Sequence, residues 1–193
     1  MGFKFYIYKM KKQAAVALLL FFFFGKTNAQ NINIEAKLPF SNNLTIETDN
    51  PEAAFALKKG LGVEGSVSFV TLKKHDVSVG IDYFQAEVNE ERKIQSFSGV
   101  FKAGGELFSK FFTDEDFKIM FFAGGKSGIG KYTFSTGDDI YISLGIEAGF
   151  KIKYKNIYCS FFQTNTKGIQ EPKGGQNSYN TSCLGVSLGA ILF

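Results

Sequence analysis

The residues that could do chemistry in this chain are few. Gly125-Lys126-Ser127-Gly128-Ile129-Gly130-Lys131 fits the GxxxxGK spacing of a phosphate-binding loop. Such a loop needs Ser or Thr after the lysine to hold magnesium, and a following helix to lend its N-terminal dipole. Tyr132 stands in that place and no helical periodicity follows it. The stretch therefore reads as a strand end and an outer loop. Gly60-Leu61-Gly62-Val63-Glu64-Gly65 matches GxGxxG, but it sits inside a strand pattern rather than between strand and helix, so the dinucleotide reading fails on context. His75 is the single histidine, in a short polar turn with no clustered Cys to complete a ligand set. Cys159 and Cys183 are the two cysteines. A hairpin centred near residue 171 would set them opposite each other. Their strands aim them to different faces, however, so they read as free thiols. None of these residues implies a reaction, a metal or a cofactor.

The charged residues are more informative. Glu64, Asp82, Glu106 and Glu147, with Lys102, Lys110, Lys118, Lys126, Lys151 and Lys153, all fall on the polar face of segments that alternate with a period of two. That period means strand, and apolar/polar alternation means two different environments. Within the hairpin from Phe97 to Lys126, Phe97, Gly99, Phe101, Ala103, Gly105, Leu107 and Phe111 share one face. Lys102, Glu106 and Lys110 lie on the other, and past Thr113-Asp114-Glu115-Asp116 the alternation resumes with Phe117, Ile119, Phe121 and Ala123. A lysine facing lipid at the midplane would cost about 2–4 kcal/mol, whereas inside a narrow barrel it can pair. The ten charges are thus expected to form a structural network in a barrel lumen. A lumen so filled is expected to be closed.

The elements that would position these residues follow in order. Strand one covers 31–40, with Ile32, Ile34, Ala36, Leu38 and Phe40 on one face and Asn31, Asn33, Glu35 and Lys37 on the other. Leu44 and Ile46 keep the apolar phase, so the strand is expected to continue past Pro39, with a bulge as one way through. Asp49-Asn50-Pro51-Glu52 is a turn by composition. Residues 53–59 fit either a helical turn or the outer end of strand two. Further strands are expected over roughly 61–72, 77–88, 97–111, 117–126, 140–154, 157–163 and 178–193. Long loops (49–58, 89–96, 127–139, 165–177) then alternate with short turns (73–76, 113–116, 155–156). Long loops outside and short turns in the periplasm are the habit of an outer-membrane barrel. In the last strand the continuous apolar row is Leu184, Val186, Leu188, Ala190 and Leu192, out of phase with the terminal Phe193. A bulge near Ala190 or a lumenal Phe193 would account for this.

Residues 1–29 read as a cleaved secretory leader. Lys4, Lys9, Lys11 and Lys12 precede the apolar run Ala14–Phe24, and Thr27-Asn28-Ala29 supplies small residues before a cut ahead of Gln30. Residues 30–193 then form one barrel domain. The formal charge of +4 belongs to the leader, since the remainder carries 17 basic and 18 acidic residues. Nucleic-acid binding therefore has no electrostatic footing.

On the leader, the eight alternating segments and the terminal Phe193, the chain resembles the small outer-membrane barrels of the OmpA/OmpX type. It is similar in particular to the outer-membrane β-barrel domain proteins of Bacteroidetes, the PorT-like proteins among them. The resemblance spans residues 30–193 and carries no catalytic motif. It implies an all-β, eight-stranded, antiparallel, up-and-down transmembrane barrel in the cell outer membrane, in contact with lipid and with other envelope proteins through loops or turns. The alternatives are a narrow outer-membrane channel and a secreted lipocalin-like ligand carrier.

Overall fold

The computed structural model describes residues 30–47, 53–72, 75–89, 92–108, 116–134, 137–170 and 178–192. The chain is built of antiparallel strands: β1 (Gln30–Glu47), β2 (Ala53–Ala56), β3 (Lys58–Leu72), β4 (His75–Asn89), β5 (Arg92–Leu107), β6 (Phe117–Phe134), β7 (Gly137–Tyr154), β8 (Ile157–Ile169) and β9 (Ser178–Ile191). From β3 to β9 each strand pairs with the next in sequence, and β1 pairs with β2, with β3 and back onto β9. Because β2 and β3 both pair with β1 and are parted only at Leu57, they act as one stave, and the sheet closes as an eight-stave barrel. Closure leaves no sheet edge along the wall, the condition for strands to cross a bilayer.

The alternation read from the sequence governs which way the side chains point. Ile34, Val63, Ile81, Phe101, Phe121, Ile146, Phe150, Phe161 and Leu188 all stand exposed on the outer wall. Serines, glycines and charged residues fill the alternate positions inside. Gly130 and Gly168 show why several interior positions are bare: a Cβ on either would lie 2.1 or 2.3 Å from the Tyr141 ring.

Three expectations need correction. First, the strands are longer than the hydrophobic pattern suggests. β4 and β5 pair out to Asn89↔Arg92, and β6 and β7 out to Phe134↔Gly137. Most of 89–96 and 127–139 is therefore ladder, 165–169 belongs to β8, and 53–56 is strand. Beyond the apolar belt both faces of a ribbon meet polar surroundings. The alternation fades there although the hydrogen bonds continue. The GxxxxGK stretch accordingly lies within continuous β6, with no loop to cradle a phosphate.

Second, Leu44 and Ile46 do not share a face with Ile32. The β1–β9 register shifts between Pro39 and Ser41. One residue of slip exchanges the two faces of a strand, and Leu44 becomes fully buried inside. Third, the β8–β9 hairpin is not centred near 171. Thr164 faces Cys183 and Cys159 faces Leu188, so the thiols are five positions apart along the ladder and both are free.

The register of β9 is continuous from Ile169↔Ser178 to Ile157↔Ala190, with Gly185, Ser187 and Gly189 inside. No bulge falls near Ala190; Phe193 itself lies outside the described residues, as do the leader expected at 1–29 and residues 113–115 of the turn expected at 113–116.

Candidate functional site

The barrel interior has three levels, read from the end where Asn89 pairs with Arg92 and Phe134 with Gly137. The first is apolar. Leu44, Leu57, Ala86, Val88, Ile94, Tyr132, Tyr141 and Tyr179 form one buried cluster. Tyr141 stacks on Tyr179 with ring centroids 4.8 Å apart, and Tyr132 lies 5.5 Å from Tyr179. The Tyr179 hydroxyl donates to Asp139. The glycine cradle at Gly130 and Gly168 lets the Tyr141 ring lie across the lumen.

The middle level is ionic. Lys37 of β1 places its Nζ 2.7 Å from Glu64 Oε2 (β3), 3.2 Å from Asp82 Oδ1 (β4) and 2.8 Å from Glu147 Oε2 (β7). Lys102 of β5 bridges Glu64 Oε2 and Glu147 Oε1, each at 2.6 Å. Lys126 of β6 holds Asp82 Oδ2 at 2.9 Å. Three lysines thus meet three carboxylates, so the cluster is neutral. Lys37, Glu64, Asp82 and Glu147 are nearly inaccessible, which makes their mutual attraction strong and any orphaned member costly. The Thr164 hydroxyl donates to Glu147 Oε2 at 3.0 Å. Lys37 lies 5.5 Å from the Phe162 ring centroid and Lys102 lies 5.2 Å from that of Phe122, so apolar rings pack the lysine flanks.

The third level, toward the chain termini, is looser. Glu106 and Lys118 form an ion pair. Lys151 sits 4.3 Å from the Tyr158 ring centroid, and the Tyr158 hydroxyl donates to Glu35 at 3.2 Å. Lys153, with Glu106, Lys118 and Asp76, lines a cavity of about 90 Å³. His75 is exposed at this end, at the start of β4.

Nine of the ten charges singled out in the sequence therefore sit on the inner face, and Lys110 lies outside the described residues. Seven of them, with Lys37, occupy two ionic groups: Glu64, Asp82, Lys102, Lys126 and Glu147 in the middle belong with Lys37, while Glu106 pairs with Lys118. Lys151 and Lys153 join neither group by direct contact. Sequence reasoning did not select Lys37 and Glu35, although alternation had placed both on the polar face of strand one.

No family model matches the chain, and no curated protein sequence matches it. Solved structures do. The Neisserial surface protein A structure aligns with a TM-score of 0.51 at 13% identity, covering 86% of this chain and 100% of its own. Ail, the attachment invasion locus protein of Yersinia pestis, aligns at 0.44 and 12% identity over 83% and 97% of the two chains. The N-terminal β-barrel domain of Pseudomonas aeruginosa OprF aligns at 0.42 and 12% identity over 82% and 96%. The first of these likenesses is one of fold: the chain is a closed, eight-stranded, antiparallel up-and-down barrel of the small outer-membrane kind.

Proposed function

We propose that this chain is a non-enzymatic outer-membrane protein, exported through the leader at 1–29, whose barrel is a closed scaffold presenting its rims to other envelope components. The observation that carries the reading is the convergence of Glu64, Asp82 and Glu147 on Lys37 across the middle of the lumen. Its charges are paired to one another, so this level of the interior is held together by ion pairs. The tyrosine cluster above it fills the same bore. The upper cavity beside Lys37 and Tyr141 measures about 30 Å³, room for a water molecule or so and not for a solute. Within this proposal, the similarity to PorT-like proteins of Bacteroidetes remains an architectural one.

The polarity of the two faces argues against a soluble carrier. Such a protein lines its cavity with apolar side chains and turns its charges to water. Here Ile146 is 66% exposed while Glu147, the next residue, is 2% exposed. The experiment is cell fractionation combined with gel mobility of boiled and unboiled samples. The expected result is recovery in the outer-membrane fraction with a heat-dependent shift. Recovery in the soluble fraction with no shift would refute the reading.

A further inference from the structure

We propose that the outward face of β8 is a seat for one outer-leaflet lipid whose headgroup carries phosphate and sugar hydroxyls. The inference rests on the outer-membrane reading and adds a ligand to it. Along the outer face of β8 the residues run Ile157, Cys159, Phe161, then Gln163, Asn165 and Lys167, then Ile169. The polar three interrupt the apolar belt. Register fixes their level: Gln163 lies between Ala148 and Leu184, Asn165 between Ile146 and Ser182, and Lys167 between Leu144 and Asn180. On β7 the outward row stays apolar at these levels and beyond, through Ile146, Leu144, Ile142 and Ile140. An amide stripe therefore runs beside a hydrocarbon-facing one.

Elsewhere on the outer wall the barrel pairs its amides. Gln95 donates to Gln85 at 3.0 Å and to the Tyr83 hydroxyl at 3.1 Å, and that hydroxyl donates to Gln85 at 2.9 Å. Gln163, Asn165 and Lys167 have no such side-chain partner among the described residues. An unpaired amide facing hydrocarbon is costly, because lipid tails offer no hydrogen bond. The cost disappears if the occupant of the site brings donors and acceptors with it.

The shape fits an amphiphile. A groove of about 580 Å³ opens outward here, floored by Asn43, Asn165, Lys167, Asn180 and Ser182 and walled by Leu144 and Ile146. That volume is in the range of a small-ligand site. Amides and a serine hydroxyl suit sugar hydroxyls, the lysine suits a phosphate as a charge-assisted partner, and the leucine–isoleucine wall suits an acyl chain. The other possible occupant, a second copy of the chain, offers no charge to complement Lys167 from its own apolar belt.

The test is native mass spectrometry of the folded protein released from detergent after incubation with a bisphosphorylated, acylated glucosamine disaccharide (lipid A) or with phosphatidylethanolamine. Wild type should retain one lipid A in preference to phosphatidylethanolamine. The triple variant Gln163→Leu, Asn165→Leu, Lys167→Leu should bind it at least about tenfold more weakly. Lys93→Leu, on the far wall, should bind normally. Equal retention by wild type and the triple variant would overturn the proposal. So would equal retention of the two lipids, or a wild-type dimer lost in the triple variant with no lipid retained. The leucine variant removes unpaired amides from a lipid face, so its folding into phosphatidylcholine vesicles should be undiminished. Lys167→Leu alone serves as a milder second variant. Gel mobility of the same samples keeps the two readings apart: loss of the heat-dependent shift in wild type would defeat the barrel, not the lipid seat.

Discussion

Lys37 gathers carboxylates from three strands within 3.2 Å of one nitrogen, at a depth where water contributes little. Lys37→Met keeps much of the side-chain volume and removes the charge, leaving three acids to share Lys102 and Lys126. Stranding buried charge typically costs about 3–5 kcal/mol. The urea midpoint for unfolding from lipid vesicles should fall accordingly. Lys59→Met breaks the Lys59–Glu87 pair, in which Lys59 is 79% exposed, and should cost about 0–1 kcal/mol. Adding Glu147→Gln to Lys37→Met should restore part of the loss, since contacting charges are not additive. A double variant no better than the strict sum would show that the two residues do not act together. The polar face of strand one, with Glu35 and Lys37, was legible from alternation alone. The hub was not. Nothing local marks Lys37 off from Lys102 or Lys126, and its role arises only when closure brings β1 across from β7.

At the scale of elements, facing was legible and length was not. The rows Ile140–Tyr154 and Phe97–Leu107 state their outer faces unambiguously because one side meets lipid and the other a polar lumen. A bulge past Pro39 is one of the readings the sequence allows, but its consequence is hidden, because Leu44 and Ile46 continue the count of two while the bulge turns them inward. The tyrosine cluster is hidden too: Tyr141 falls within the strand expected over 140–154, but nothing local shows that closure brings it onto Tyr179 and near Tyr132. Two outcomes follow. Phe121→Lys should weaken assembly by about 2–4 kcal/mol in a vesicle-folding assay, the cost of an outward lysine at the bilayer midplane, and Ile146→Lys, level with Asn165 and nearer the rim, by less. For orientation, single cysteines at Asn89 and Asn156, in a Cys159→Ala, Cys183→Ala background, should differ in whole cells. Asn89→Cys, where β4 approaches the hairpin tip, should label with an impermeant thiol reagent, and Asn156→Cys, in the turn beside the chain termini, should not. The reverse pattern would turn the barrel over.

For the whole molecule, eight staves give a bore only just wide enough for side chains to fill. Two different fillings meet inside it: a neutral ionic cluster in the middle and stacked tyrosines nearer the hairpin tips. Either would obstruct a solute. On the function proposed above, the protein's dealings with its surroundings fall to its outer wall and rims, where Asn165, Lys167 and the ends of the long hairpins lie. The measurement that tests this account most directly is conductance of the purified, refolded protein in a planar bilayer. Wild type should show no steady current. Glu147→Ala, which takes a carboxylate from both Lys37 and Lys102, should destabilise the barrel or introduce leak. A large, stable channel in the wild-type protein would contradict the closed scaffold and assign the barrel to transport.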